Sequence, residues 1–107
     1  MSENNEITDI IEMITATVPV EKIYLFGSRA YGIPDENSDY DFFILIPDEG
    51  IKPIDAMQQV QKALILFGHK TPVDILADYQ SRFNTRRYLN TLERKIADEG
   101  VIVFERT

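Results

Sequence analysis

One segment, Tyr40–Ile46 (YDFFILI), constrains the fold of this chain more than any other part of its sequence. Its aromatic and β-branched residues favour a buried strand, and Pro47 closes it. Two acids, Asp39 and Asp41, stand at its head. Because side chains alternate along a strand, both carboxylates are predicted to point to one face of a sheet, and Tyr40 with every second residue after it to the other face.

The rest of the chain alternates between helical and strand-like spacing of apolar residues. Helices are predicted over residues 5–17, 53–67 and Ser28–Tyr31, and a last helix is marked by Tyr88, Leu89, Leu92 and Ile96, with Gly100 as its C-terminal stop. Further strands are predicted at Lys22–Phe26, Pro72–Leu76 and Val101–Phe104, the last at a sheet edge, and a turn at residues 32–38. This order predicts an α/β or α+β fold in which helices pack on a sheet, and it leaves the strand order open.

Composition excludes several classes of function. The net charge of -7, from 18 acidic and 11 basic residues, argues against broad nucleic-acid binding, although metal ions could bridge an acidic protein to a nucleotide. The chain has no cysteine and one histidine, His69, which excludes thiolate and multi-histidine sites. No segment is apolar for long enough to cross a membrane, and the first residues lack a signal-peptide pattern. We therefore expect a soluble, cytoplasmic protein.

A turn suited to phosphate follows the first predicted strand. Gly27 lets the backbone approach a bound group, the residues after it would present free N–H groups to an anion, and Ser28 adds a hydroxyl. By itself this pair is more typical of an ordinary strand-to-helix turn.

Three carboxylates accompany this turn. Asp39 and Asp41 repel each other, and a hard divalent cation such as Mg²⁺ would relieve that repulsion. Asp74 would face the same cations if its strand lies beside Tyr40–Ile46. Each acid alone is more typical of a solvated strand. Together with the turn, the three acids are the parts of a metal-assisted phosphoryl-transfer site, in which two cations clamp the attacking and leaving oxygens.

The segments Phe26–Gly32 (FGSRAYG) and Ser38–Asp41 (SDYD) resemble the signature of the DNA polymerase beta nucleotidyltransferase superfamily. The ten residues between Ser28 and Asp39 match the spacing of its minimal nucleotidyltransferase branch, and the C-terminal segment 99–105 is similar too. This resemblance implies a polymerase-beta-type fold, with a mixed β-sheet flanked by helices and one nucleotidyltransferase domain over residues 1–107.

The resemblance also implies roles for the acids. Asp39 and Asp41 would bind Mg²⁺, with two ions in the site. Asp74 stands where the family has its third carboxylate, so it would bind the catalytic ion and help to activate the acceptor hydroxyl.

The phosphate-binding residues follow by the same resemblance. Gly27 and Ser28 would hold the triphosphate of ATP, which would leave as pyrophosphate. Arg29 matches a frequent basic residue of the family, and it would either contact phosphate or stay a solvated helix residue. Tyr31 departs from the family, many members of which carry a second arginine there.

Minimal members of this branch are often antitoxins encoded beside a HEPN ribonuclease toxin, and some adenylylate a tyrosine of that toxin. The resemblance therefore implies transfer of a nucleoside monophosphate, AMP in the simplest case, to a partner protein. The small size of the chain independently predicts that another chain, a second copy or a different protein, supplies the acceptor surface, and the resemblance implies that a different protein would be HEPN-type. The alternatives are a catalytically silent subunit that neutralises its partner by binding, and an enzyme that modifies a small molecule such as an antibiotic.

A basic segment carries Arg82, Arg86 and Arg87, with Phe83 after the first arginine and Tyr88 after the last. It could face RNA or an acidic partner, but the solvated basic face of a helix is the simpler interpretation. His69 lies in a predicted loop and is interpreted as a surface residue.

Overall fold

The computed structural model describes residues 3–31, 39–68 and 71–106. The strands in these ranges are β1 (Lys22–Phe26), β2 (Tyr40–Ile46), β3 (Val73–Tyr79) and β4 (Val101–Glu105). The helices are α1 (Glu3–Thr17), α2 (Ser28–Tyr31), α3 (Pro53–Phe67), α4 (Gln80–Arg86) and α5 (Leu92–Glu99). The strands form one sheet in the order β3-β2-β1-β4, in which β2 and β3 are parallel and β1 is antiparallel to β2 and to β4. A mixed sheet flanked by helices in a single small domain is confirmed.

The main core lies between one face of the sheet and the helices α1 and α3. Phe42 and Ile44 of β2 are fully buried there against Ile10 of α1 and Val60 of α3. The helical spacing of apolar residues brings these side chains to one side of each helix, and each buried side chain of this size contributes about 1.5–3 kcal/mol. Helix α3 has the predicted bounds, and α1 begins two residues before the predicted start.

The opposite face of the sheet is only partly covered. Phe83 of α4 packs its ring 5.4 Å from the rings of Tyr24 and Phe43, and Ile96 of α5 joins this smaller cluster. Leu76 on the same face of β3 remains 37% exposed. The helices α4 and α5 therefore leave part of this face open beside the edge strand β3.

The last predicted helix was wrong at its start. The structure begins α5 at Leu92, because Thr91 caps it by accepting a hydrogen bond from the backbone N–H of Arg94. Tyr88 and Leu89 lie before this cap and are exposed. Arg82 and Arg86 of the basic segment lie in the separate helix α4, which ends before Arg87.

The end of α5 agrees with its prediction. Gly100 follows the helix and donates its N–H to the carbonyl oxygen of Ile96 at 2.8 Å. A Cβ atom at this glycine would lie 2.5 Å from that oxygen, which explains why a residue without a side chain stands there. Strand β4 follows at the sheet edge, as predicted.

Strand β3 extends three residues beyond its predicted end at Leu76, because it pairs with β2 along its full length. The predicted turn at 32–38 and His69 lie outside the described residues. Within the described ranges, no helix has both the length and the hydrophobicity needed to cross a bilayer.

Candidate active site

The candidate site lies at one end of the strands, where β1 ends and β2 and β3 begin. The strand register sets Asp41 of β2 between Phe26 of β1 and Asp74 of β3. Gly27 and Ser28 follow Phe26 directly. The turn and two of the predicted acids therefore meet at neighbouring positions of three adjacent strands.

Two of the predicted acids, Asp39 and Asp74, act on the third, Asp41. The pKa of Asp41 is raised from 3.8 to about 6, first because the group is partly buried, then because of a hydrogen bond with Asp74 and the negative charges of Asp74 and Asp39. Asp74 and Asp39 are themselves exposed to solvent. Asp41 is thus the inner member of the group, and two acids at the surface make its ionised form unfavourable.

Gly27 lies directly against Asp41. Its φ angle of +79° falls in the left-handed region that favours glycine. A Cβ atom at this position would overlap the Oδ2 atom of Asp41 and would lie 3.2 Å from its Cγ atom. The sequence predicted that this glycine admits a bound group close to the backbone, and in the structure the carboxylate of Asp41 makes that close approach.

Arg29 is on the other side of β2. The central carbon of its guanidinium lies 4.2 Å from the ring centroid of Tyr40. Tyr40 is fully buried and belongs to the main core, whereas Asp41, the next residue of the strand, points to the opposite face. The guanidinium of Arg29 therefore packs against the back of the strand whose front carries Asp41.

The donor set fits a hard divalent cation through two carboxylates. Asp41 and Asp74 supply adjacent oxygen ligands, and their mutual repulsion is the kind that a cation relieves. Among the described residues, however, no group of three or more His, Cys, Asp or Glu is arranged to hold a metal ion. Mg²⁺ is commonly bound by one or two carboxylates together with substrate phosphates and water, so the pair satisfies that requirement.

The sequence profile described as polymerase beta, nucleotidyltransferase, matches residues 8–107. The chain belongs to the polymerase beta nucleotidyltransferase family. Members of this family generally use Mg²⁺ and a nucleoside triphosphate. In this nucleotidyltransferase domain, the matched range includes Gly27 and all three carboxylates.

Three solved structures share the fold of this nucleotidyltransferase domain. A provisionally assigned nucleotidyltransferase from Sulfolobus solfataricus is 20% identical with a TM-score of 0.62, over 92% of this chain and 76% of that chain. A toxin–antitoxin complex with AMP-PNP is 22% identical with a TM-score of 0.54, over 94% and 73%. A complex of an AMPylated Shewanella oneidensis HEPN toxin with an MNT antitoxin is 19% identical with a TM-score of 0.50, over 92% and 69%. At these identities the likeness shows the fold alone, and a comparison with curated proteins gives no match.

Two residues beside the site were missed in the sequence. Glu6 of α1 accepts hydrogen bonds from the hydroxyl of Thr71, 2.9 and 3.1 Å from its two carboxylate oxygens. Both residues lie near Tyr40. Burial and the carboxylate of Glu6 raise the pKa of Tyr40, and the N–H of Tyr40 donates to the carbonyl oxygen of Pro72, the residue after Thr71. No local pattern in the nucleotidyltransferase sequence signals this contact, since Glu6 and Thr71 are 65 residues apart.

The basic segment is engaged in ion pairs within the domain. Arg82 pairs with Asp78 at 3.4 Å, and Arg86 pairs with Glu93 at 2.5 Å. The guanidinium of Arg87 lies 5.6 Å from the ring centroid of Tyr88. Arg82 is mostly exposed, as the simpler interpretation predicts, whereas Arg86 pairs with the nearly buried Glu93 and Phe83 is buried in the smaller cluster.

Proposed function

We propose that the chain is a Mg²⁺-dependent nucleotidyltransferase of the cytoplasm that transfers AMP from ATP to a hydroxyl group of a partner protein. The observation that carries this proposal is the pairing of Asp41 with Asp74, directly against the turn at Gly27. A carboxylate pair and a glycine turn at one open end of the strands suit phosphoryl transfer, because catalysis of that reaction is mainly positioning and charge neutralisation.

In the proposed reaction, Gly27 and Ser28 hold the triphosphate in line with the acceptor. The acceptor oxygen forms a bond to the α-phosphorus, and the bond between that phosphorus and the bridging oxygen of pyrophosphate breaks. Asp74 accepts the hydrogen bond of the acceptor hydroxyl and takes its proton as the new bond forms. Its exposure leaves room for a hydroxyl group delivered from outside the chain.

Asp39, Asp41 and Asp74 would hold Mg²⁺, with two ions in the complete site. When bound, Mg²⁺ supplies charge neutralisation on the triphosphate and lowers the pKa of the acceptor hydroxyl. Asp41 and Asp74 are the inner ligands in this proposal. Asp39, exposed at the entrance to β2, completes the ligand set together with the phosphate oxygens of the substrate.

We infer that the acceptor belongs to a HEPN-type protein or to a second copy of the chain. The support is twofold. The described residues form one four-stranded sheet with the candidate site at one end, and among them there is no second unit that could orient an acceptor. The fold is shared with toxin–antitoxin complexes, one of which holds AMP-PNP and another an AMPylated HEPN toxin.

The test uses the chain together with its co-purifying or genetically adjacent partner, α-³²P-ATP and Mg²⁺. We expect label on the partner with the wild-type chain and with Asp55→Asn, and none with Asp39→Asn/Asp41→Asn. Asp55 is the matched control because it is an exposed aspartate in the first turn of α3, which begins beyond the other end of β2. Absence of label with all four nucleoside triphosphates would contradict the proposal.

A second candidate is a binding subunit that neutralises its partner without catalysis. It is supported by the fold that the chain shares with a complex of an MNT antitoxin and a HEPN toxin. Neutralisation of the partner by Asp39→Asn/Asp41→Asn as complete as that by the wild type would support it. Label on a free aminoglycoside or other small alcohol, but not on protein, would instead identify a small-molecule nucleotidyltransferase.

A further inference from the structure

The start of β2 has a second polar cluster on the side of the sheet that faces away from the acids. It consists of Glu6, Arg29, Tyr40 and Thr71, which come from α1, α2, β2 and the residues before β3. Tyr40 is its centre and stands between the two acids Asp39 and Asp41 in the sequence. Whatever fixes this tyrosine therefore also fixes the part of β2 from which Asp41 projects.

The ring of Tyr40 is enclosed by neighbours from several elements. Phe42 stacks nearly parallel to it, with ring centroids 6.0 Å apart and an interplanar angle of 14°. Burial and the neighbouring carboxylate of Glu6 raise the pKa of Tyr40, while the charge of Arg29 acts to lower it. The tyrosine hydroxyl is fully buried and makes no close hydrogen bond within the described residues, while the carboxylate of Glu6 is near enough to raise its pKa as a hydrogen-bond acceptor.

Arg29 connects this ring to the turn of the candidate site. It is the second residue of α2, and the first turn of that helix is closed by the N–H of Ala30, which donates to the carbonyl oxygen of Gly27 at 3.0 Å. The guanidinium over Tyr40 is a cation–π contact, which is stronger where the cation is partly removed from water. Helix α2 has four residues and little stability of its own, so contacts to β1 and β2, together with the packing of Ala30 on the main core, hold it in place.

We propose that Arg29 is a positioning residue that acts on nucleotide binding through the ring of Tyr40. The stack holds α2, and with it Gly27 and Ser28, at a fixed distance from the acids on the front of β2. This proposal rests on the proposed function for its consequence in catalysis, but its structural content is independent of any nucleotide. It gives Arg29 an indirect role in place of direct phosphate contact.

The first experiment measures hydrogen exchange of the Ala30 N–H by NMR in the chain without nucleotide. We expect Arg29→Gln and Tyr40→Leu each to accelerate this exchange about fivefold, because each removes a partly desolvated cation–π contact that holds the turn. Tyr40→Phe keeps the ring that Arg29 contacts and removes only a hydroxyl that makes no close hydrogen bond, so exchange in this variant stays near the wild-type rate. Exchange at the wild-type rate in Arg29→Gln would overturn the proposal.

The second experiment measures binding of α,β-methylene-ATP with Mg²⁺ by calorimetry in the single variants and in Arg29→Gln/Tyr40→Leu. We expect each single change to weaken binding about fivefold and the double change to weaken it no further, because both break one contact. Tyr40→Phe keeps wild-type affinity. Additive losses, about 25-fold in the double variant, would show that Arg29 acts on nucleotide binding independently of the ring of Tyr40, and would overturn the indirect role.

The two experiments separate this inference from the proposed function. If the wild-type chain binds no nucleotide, the nucleotidyltransferase proposal is refuted. If exchange is nevertheless accelerated in Arg29→Gln, the role of Arg29 in holding the turn remains. Tyr40→Leu removes a core ring and is expected to unfold more easily. For that reason Arg29→Gln, which changes no core residue, decides the first experiment. The second compares the double variant with Tyr40→Leu under conditions in which both are folded.

Discussion

Gly27 and Asp41 are in such close contact that the Oδ2 atom of Asp41 occupies the place where a side chain at position 27 would begin. Two requirements therefore coincide at Gly27: a φ angle of +79° and free space on the side of the acid. A residue with a side chain would have to displace the carboxylate that we propose as an inner Mg²⁺ ligand.

We expect Gly27→Ala to lower the free energy of unfolding by about 2–4 kcal/mol, because left-handed strain is added to a clash with Asp41. Gly68→Ala is the matched control. Gly68 has a similar φ of +75° at the end of α3, but a Cβ atom there meets nothing within 4 Å. Its cost is the left-handed conformation alone, about 1 kcal/mol. Urea unfolding measures both, and equal losses would contradict the close contact.

The fold was predictable to the extent that local patterns decide it. The strand Tyr40–Ile46 and the helix Pro53–Phe67 have the predicted bounds, because dense apolar side chains and flanking prolines specify both elements. The start of α5 was wrong, since helical spacing of Tyr88 and Leu89 does not record that Thr91 caps the helix after them. Capping is a local hydrogen bond, and hydrophobic periodicity carries no information about it.

The candidate site was predictable only in its parts. Sequence spacing could bring Asp39 and Asp41 together, but Asp74 joins them only because β3 pairs with β2 in the observed register. The face on which Arg29 lies, and the contact of Glu6 with Thr71, depend on packing between distant segments. Strand order and packing are properties of the whole chain, so a local motif leaves them open.

Stability is expected to depend on pH through Asp41. Its pKa of about 6 lies above the value of 3.8 that applies to the unfolded chain, so between these values the folded state holds a proton that the unfolded state has lost. The free energy of unfolding therefore falls as the pH rises from about 4 to about 6. Asp41→Asn removes this dependence and makes the metal-free protein more stable at pH 8, by about 1 kcal/mol after solvent screening.

An NMR titration of the Asp41 carboxyl carbon in EDTA checks this prediction directly, and urea unfolding at pH 4 and pH 8 checks its consequence. The difference between Asp41→Asn and the wild type is expected to be small at pH 4 and to grow toward pH 8. A midpoint near 4 in the titration would show that the neighbouring acids do not act on Asp41.

Binding of Mg²⁺ with ATP should offset the loss of stability that ionised Asp41 causes. With Mg²⁺ and ATP at 100 times their dissociation constants, we expect the wild type to gain about 2.7 kcal/mol of stability for each independent binding step. Asp41→Asn and Asp74→Asn each remove an inner ligand and should lose most of the gain, whereas Asp55→Asn should keep it. Thermal unfolding with and without EDTA measures the difference, and a full gain in Asp74→Asn would remove that residue from the metal site.

The ion pair between Arg86 and Glu93 should contribute more to stability than the exposed pair of Arg94 with Asp98. Glu93 is only 8% exposed, and Arg86 joins α4 to α5 through it at 2.5 Å. Burial acts to raise the pKa of Glu93, but hydrogen bonds and the charge of Arg86 hold it below its ordinary value. The pair thus stabilises the fold above the unfolded pKa of Glu93, and this contribution is lost as the pH falls through the folded value.

Arg86→Leu is expected to lower the free energy of unfolding at pH 7 by about 2 kcal/mol, because it leaves a nearly buried carboxylate without its partner. Arg94→Leu is the control. Arg94 pairs with Asp98 at 3.8 Å, both side chains are more than half exposed, and such pairs are worth about 0–1 kcal/mol. The double variant Arg86→Leu/Glu93→Leu should recover part of the loss. If instead it is as unstable as the sum of its single changes, measured by urea unfolding, the two residues do not stabilise the α4–α5 connection as a pair.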